Sequence, residues 1–107
     1  EDRSRLAEAT RNLEKAAAYS NTNPRIFHNL AIAYWQQEKV DSAISAFKSA
    51  IKLAPENPEF LQNLLQLLAQ RQKWDDALPY ARKLLQLMPG NPQVEALLMQ
   101  VERSVTP

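Results

Sequence analysis

The chain has 107 residues, enough for one domain, and its 45% hydrophobic and 23% charged residues are typical of a folded globular protein. One glycine against seven prolines argues against a β-protein with many tight turns, and a formal net charge of +1 gives no basic surface for nucleic acid or membranes. The absence of cysteine excludes disulfides and cysteine-ligated zinc, and no apolar run approaches the ~20 residues that cross a bilayer.

The sequence repeats itself with a period of 34 residues. Residues 24–57 align with residues 58–91, and residues 3–20 and 92–103 align with half of this unit on either side. The identical pairs in the full window are Pro24/Pro58, Asn29/Asn63, Leu30/Leu64, Gln36/Gln70, Lys39/Lys73, Asp41/Asp75, Ala43/Ala77, Leu53/Leu87, Pro55/Pro89 and Asn57/Asn91. A fixed period of this length is typical of repeat architectures.

The first half of the chain predicts three helices. Residues 3–20 carry apolar residues at helical spacing and correspond to the second helix of a repeat that lacks its first helix. Asn23 and Pro24 predict the start of the next helix, 24–37, because Asn is a good N-cap and Pro suits the first turn. After a polar turn, we expect Asp41 to cap a helix over 41–53.

The second half of the chain repeats this pattern. Leucines line the predicted first helix after Pro58, and we expect Asp75 to cap the second. Pro79 lies inside that second helix, where we expect a mild bend rather than a break. Residues 92–103 predict a first helix without its partner, which resembles a C-terminal cap.

These residues together resemble the tetratricopeptide repeat. The family pattern of an aromatic residue, Leu-Gly, Tyr, Ala, Phe and Pro is matched in spacing by Phe27, Leu30, Ala31, Tyr34, Ala43, Phe47 and Pro55. The second repeat is degenerate, because Leu65 and Ala81 exchange bulk relative to Ala31 and Phe47. This exchange predicts compensated packing.

The resemblance implies an all-α fold, a right-handed α-solenoid of stacked antiparallel helical hairpins with about six helices in one domain over residues 1–107. In this family the first helices line a concave groove and the second helices form the convex back. The resemblance therefore also implies a protein–protein interaction module that binds a peptide or partner protein in the groove.

By the same resemblance, the groove-facing positions are Arg25, His28, Asn29, Ile32, Trp35, Gln36, Glu59, Gln62, Asn63, Gln66 and Gln70. Asn29 and Asn63 are the best candidates for peptide contact, because a side-chain amide both donates and accepts hydrogen bonds. Their alternative role is a bond to the neighbouring hairpin, and the alternative for Trp35 is burial against that hairpin. We do not expect the family's clamp for terminal carboxylates, because Glu59 opposes it and Gln93 offers no cation.

No residue pattern indicates an enzyme, a cofactor or a metal site. His28 is the only histidine, and Asp75 with Asp76 is explained by the favourable field of a helix N-terminus. One glycine cannot form a phosphate-binding loop. A helical-hairpin RNA binder is the least favoured alternative, since its repeat has 35 residues and needs a basic track.

The first segment, residues 3–20, leaves two interpretations open. Its apolar side normally packs on an upstream helix, so the chain is either part of a longer array or a self-association scaffold that uses Leu6 and Leu13. The missing initiator Met favours the fragment, and we expect no membrane insertion. The sequence identifies neither the partner nor the compartment.

Overall fold

The computed structural model describes residues 2–105, and every regular element within them is an α-helix. The helices are α1 (Asp2–Tyr19), α2 (Pro24–Gln36), α3 (Val40–Leu53), α4 (Pro58–Gln70), α5 (Trp74–Leu87) and α6 (Pro92–Val105). The predicted all-α fold with six helices is confirmed, and the predicted boundaries agree to within two residues.

An asparagine followed by a proline begins each of the three first helices. The Asn23 side chain accepts a hydrogen bond from the backbone N–H of Arg25, and the Asn57 side chain accepts from Glu59 and Phe60. The Asn91 side chain accepts bonds in the same way from the first turn of α6. Because each cap satisfies N–H groups that no helical carbonyl can reach, the predicted starts at Asn23 and Asn57 are confirmed.

The turns between first and second helices end the first helix with a left-handed residue, at Glu38 (φ 59°) and Gln72 (φ 56°). In the first turn, the N–H of Glu38 donates to the Trp35 carbonyl and that of Lys39 to the Tyr34 carbonyl. Gln72 and Lys73 donate to the carbonyls of Ala69 and Leu68 in the same arrangement. This pair of bonds is a Schellman motif.

The predicted caps of the second helices were wrong. The N-cap positions are Lys39 and Lys73, and neither side chain makes a capping hydrogen bond. Asp41 and Asp75 lie inside the first turn instead, because helical geometry already begins one residue before each of them, directly after the Schellman motif. There the two carboxylates still face the positive end of the helix dipole.

The chain forms two compact units, residues 1–55 and 56–107. In the first unit, α2 packs against both α1 and α3. Its α2–α3 hairpin buries Leu30, Ala31, Ala43, Phe47 and Ala50. In the second unit, α5 packs against both α4 and α6 and is continuous through Pro79.

The compensated packing predicted for the second repeat agrees with the burial of its residues. Leu65 and Ala81 are fully buried, as are Ala31 and Phe47 at the equivalent positions of the first repeat. One hairpin thus combines a small residue on its first helix with a large one on its second, and the other hairpin reverses the sizes. A close-packed interior tolerates the exchange because the summed volume is kept.

Candidate functional site

The first candidate surface lies on α2. Arg25, Asn29 and Gln36 are exposed, and Ile32 is half-buried between them. Their spacing of four, three and four residues places all four on one face of the helix. We call these four residues the α2 face.

His28 is not part of that exposed face, and its predicted position in the groove was wrong. It is only 2% exposed, and its ring meets Phe47 edge to face at 5.8 Å between centroids. The Trp35 ring meets Phe47 in the same way at 6.2 Å and is half-buried. His28 and Trp35 are two helical turns apart, so they flank Phe47 along one side of α2, and this contact of Trp35 lies within its own hairpin.

The second candidate surface lies on α4. Glu59, Gln62, Gln66 and Gln70 are exposed, and Asn63 is half-buried beside them. Four of these five side chains are neutral amides, and Glu59 is the one charged residue in the α4 sequence. We call these five residues the α4 face.

One of these amides already has a partner within its own unit. The Nε2 of Gln62 donates to the Sδ of Met88 at 3.7 Å, a weak bond to the segment that follows α5. Such a bond holds the Gln62 side chain over its own hairpin. The exposed Gln66 and Gln70 continue the α4 face along the helix.

The structure also shows hydrogen bonds between α1 and the C-terminal part of α2 that sequence analysis did not predict. The Nε2 of Gln37 donates to the buried hydroxyl of Thr10, which itself donates to the Leu6 carbonyl at 2.8 Å. The Tyr34 hydroxyl donates to the Glu14 carboxylate. That bond, with some burial and the negative charge, raises the pKa of Tyr34 from 10.0 to about 12.

The first unit also contains a groove of about 430 Å³ between α2 and α3. It is lined by Phe27, Leu30, Tyr34, Asp41, Ser42, Ser45, Ala46 and Ser49. None of the predicted binding residues lines it. The spacing of three and four residues between serines 42, 45 and 49 places their side chains on one face of α3 and was the signal available in the sequence.

Residues 2–105 also bear on two other classes of function, metal binding and membrane insertion. Among those residues, no three His, Cys, Asp or Glu side chains lie close enough together to hold a metal ion. Over the same range, none of the helices has both the length and the apolar character needed to span a membrane.

Antiparallel helix pairs with the same caps, the same turns and a 34-residue period define a helical-repeat protein. The family model of the tetratricopeptide repeat matches residues 28–92, more than half of the chain. The chain therefore belongs to the tetratricopeptide repeat family.

Three other proteins are similar to this chain in sequence or in fold. Protein NPGR2 of Arabidopsis thaliana is 36% identical over 52 residues, which is 49% of this chain but only 7% of the length of NPGR2. The first TPR of Spaghetti (RPAP3), bound to the HSP90 peptide SRMEEVD, has a TM-score of 0.74 at 21% identity, covering 97% of this chain and 85% of that one.

The third is the Yersinia enterocolitica type III secretion chaperone SycD, in complex with a peptide of the translocator YopD. It has a TM-score of 0.78 at 14% identity, covering 98% of this chain and 86% of that chain. At these identities the two structures share with this chain the fold of α-helical hairpins.

Proposed function

We propose that the chain is a protein-interaction module that binds a peptide or partner protein through the α2 face and the α4 face. The observation that carries this proposal is the recurrence of amide side chains on first helices, 34 residues apart, all exposed except the half-buried Asn63. Asn29 and Asn63 occupy one repeat position, and Gln36 and Gln70 occupy another. Two relatives in fold, RPAP3 and SycD, are described in complex with peptides, which supports the same general role here.

The chemistry of these faces fits a polypeptide backbone better than a charged group. An amide side chain donates to a carbonyl and accepts from an N–H, so a row of amides can pair with an extended chain whatever its sequence. The α4 face has no cation, and Arg25 is the one cation of the α2 face. An acidic peptide such as SRMEEVD therefore has little charge to pair with on these two faces.

The test begins with a library of displayed random peptides selected on the immobilised chain. The affinity of the enriched peptide is then measured for the chain, for Asn29→Ala and for Asn63→Ala. Each substitution removes a donor and an acceptor, so we expect a loss of about fivefold to twentyfold. Gln86→Ala, at an exposed position on the second helix α5, is the matched control and should bind normally.

The synthetic peptide SRMEEVD serves as a second probe. We expect it to bind at least about tenfold more weakly than the enriched peptide, since one salt bridge to Arg25 contributes little. The proposal fails if no peptide is enriched, or if Gln86→Ala weakens binding as much as the two asparagine variants. Unfolding midpoints of all variants show whether a loss of binding is a loss of fold.

A further inference from the structure

The groove between α2 and α3 shares no residue with the α2 face or the α4 face. Its volume of about 430 Å³ lies within the range of about 300–1,000 Å³ that ligand pockets occupy. Its α2 wall is formed by Phe27, Leu30 and Tyr34, and the two aromatic rings on this wall are half-buried. The groove therefore has an apolar wall whose rings can still be contacted from outside.

The second hairpin carries bulkier side chains on its second helix at the positions that line this groove. Four small residues of α3 each have a larger counterpart at the same repeat position of α5. The four pairs are Ser42/Asp76, Ser45/Pro79, Ala46/Tyr80 and Ser49/Lys83. The groove is thus a feature of the first hairpin, whose two walls are consecutive helices with α1 packed against one of them.

The pair of Ala46 and Tyr80 indicates which chemical group suits the groove. Tyr80 is half-buried, and its burial together with the negative charge of Asp76 raises the pKa of its phenol. The first hairpin has a methyl group at that position, so it lacks the aromatic side chain that the second hairpin supplies from its own sequence. An aromatic side chain from outside can take that place, where ring-to-ring contact with Phe27 or Tyr34 is favourable.

The charges at the groove favour a cation beside that aromatic side chain. Asp41 is exposed and is the one charged residue among those that line the groove. A second carboxylate, that of Glu14, lies close by, since it accepts the hydrogen bond of the Tyr34 hydroxyl. Tyr34 lies in the last turn of α2 and Asp41 in the first turn of α3, so both carboxylates lie at the turn end of the groove. A lysine or arginine side chain at this end is attracted by both of them.

We propose that the groove between α2 and α3 binds a segment of a partner protein that carries an aromatic residue close to a lysine or arginine. The aromatic side chain packs on Phe27 and Leu30 over Ala46, and the cation faces Asp41. Because the α2 face and the α4 face take no part in this contact, it is independent of the peptide binding proposed for them.

Titration of the ¹⁵N-labelled chain, followed by NMR, tests the proposal with the synthetic peptides Ac-KAYAK-NH2, Ac-KALAK-NH2 and Ac-EAYAE-NH2. In an extended peptide, alternate side chains lie on one side, so the tyrosine and both lysines of Ac-KAYAK-NH2 can face the groove together. We expect this peptide to shift the backbone amide signals of Ser42, Ser45 and Ala46. Leucine in place of tyrosine should weaken binding about threefold to tenfold, because the ring contact is lost. Reversal of both charges should weaken it at least about tenfold, because attraction becomes repulsion.

Variants of the chain show where the peptide binds. Ala46→Tyr introduces the residue that the second hairpin carries at this position and should weaken the binding of Ac-KAYAK-NH2 at least about tenfold by filling the groove. Asp41→Asn removes the lining charge from an exposed position and should weaken it about twofold to fivefold. Asp75→Asn, the same change at the equivalent exposed position of α5, is the matched control and should bind like the parent chain. Urea midpoints show whether each variant is folded, and Asp41→Asn decides if Ala46→Tyr is not.

Three results would overturn the proposal. The first is that no α3 amide shifts at millimolar concentrations of Ac-KAYAK-NH2. The second is that the leucine and glutamate peptides bind as tightly as Ac-KAYAK-NH2. The third is that Asn29→Ala weakens the binding of this peptide as much as Asp41→Asn does, because the peptide then lies on the α2 face.

Discussion

At the scale of single residues, the packing around Phe47 organises the first unit. Its ring is fully buried and is flanked edge to face by His28 and Trp35. Ala31 lies between these two aromatic residues along α2 and is itself fully buried, so its small side chain leaves space for the ring. His28 is therefore part of this core contact, which explains why a groove role does not suit it.

The exchange of side-chain size between the two hairpins can be tested by introducing the sizes found in the second hairpin into the first. Phe47→Ala should reduce the free energy of unfolding by about 3–5 kcal/mol, since it leaves a large cavity. Ala31→Leu alone should reduce it by about 1–3 kcal/mol through overpacking. The double variant copies Leu65 and Ala81 of the second hairpin, so its loss should be smaller than the sum of the two single losses, as measured by urea unfolding.

Ala33 provides the control for that double variant. It is buried on a different face of α2, so Ala33→Leu combined with Phe47→Ala should show simple additivity. Additive losses for Ala31→Leu with Phe47→Ala would contradict the compensation.

The Tyr34–Glu14 hydrogen bond makes a second prediction at this scale. The hydrogen bond, the partial burial and the carboxylate charge raise the pKa of Tyr34 to about 12. A phenol whose pKa is higher in the folded state than in the unfolded state stabilises the fold below pH 10.0, and that contribution is lost as the pH rises through about 12. Glu14→Gln removes the charge but keeps an acceptor oxygen, whereas Glu14→Ala removes both.

We therefore expect the pKa of Tyr34 to fall in Glu14→Gln and to fall further in Glu14→Ala, followed by the ultraviolet absorbance of tyrosinate. Tyr34→Phe identifies which titration step belongs to this residue, since burial and Asp76 also raise the pKa of Tyr80. An unchanged highest step in Glu14→Ala would show that Glu14 does not set this pKa.

At the scale of helices and turns, the sequence predicted where first helices begin better than where second helices begin. The Asn-Pro pairs are local signals, because cap and helix are adjacent in the chain. The second helices begin after Glu38 and Gln72 adopt positive φ, and neither residue type favours that conformation. Because neither turn contains glycine, the sequence does not indicate a left-handed residue there, and it predicts Asp41 and Asp75 as the N-caps instead.

This absence of glycine leads to a prediction for the second turn. Gln72 adopts φ 56°, where its Cβ is strained and glycine is not. Gln72→Gly should raise the free energy of unfolding by up to about 1 kcal/mol. The strain that the substitution removes from the folded chain exceeds the stabilisation that glycine's extra conformational entropy gives the unfolded chain. As a control, Arg82→Gly, at an exposed position inside α5, should lower the free energy of unfolding by about 1 kcal/mol. A lower urea midpoint for Gln72→Gly than for the parent chain would contradict the strain at Gln72.

At the scale of the whole chain, the 34-residue period was sufficient to predict the helix number, the hairpins and the family. Periodicity reports which positions are buried in every repeat, such as Leu30 and Leu64. It does not report what makes one repeat differ from the next. The bond between Gln37 and Thr10 and the burial of His28 occur in the first unit alone, so no repeated signal predicted them.

The equivalence of the repeats makes a prediction about the stability of the entire chain. A second copy of residues 24–57 inserted between Asn57 and Pro58 creates a new Asn57–Pro24 junction with the same capping chemistry as the native ones. In repeat proteins, stability is approximately the sum of repeat and nearest-neighbour contributions, so the longer chain should unfold at a higher temperature and a higher urea concentration. An insertion of equal length and composition with the 34 residues scrambled adds chain without adding hairpin contacts and should not raise either midpoint. If the duplicated chain instead unfolds at lower urea than the parent, the two hairpins are not interchangeable units of one array.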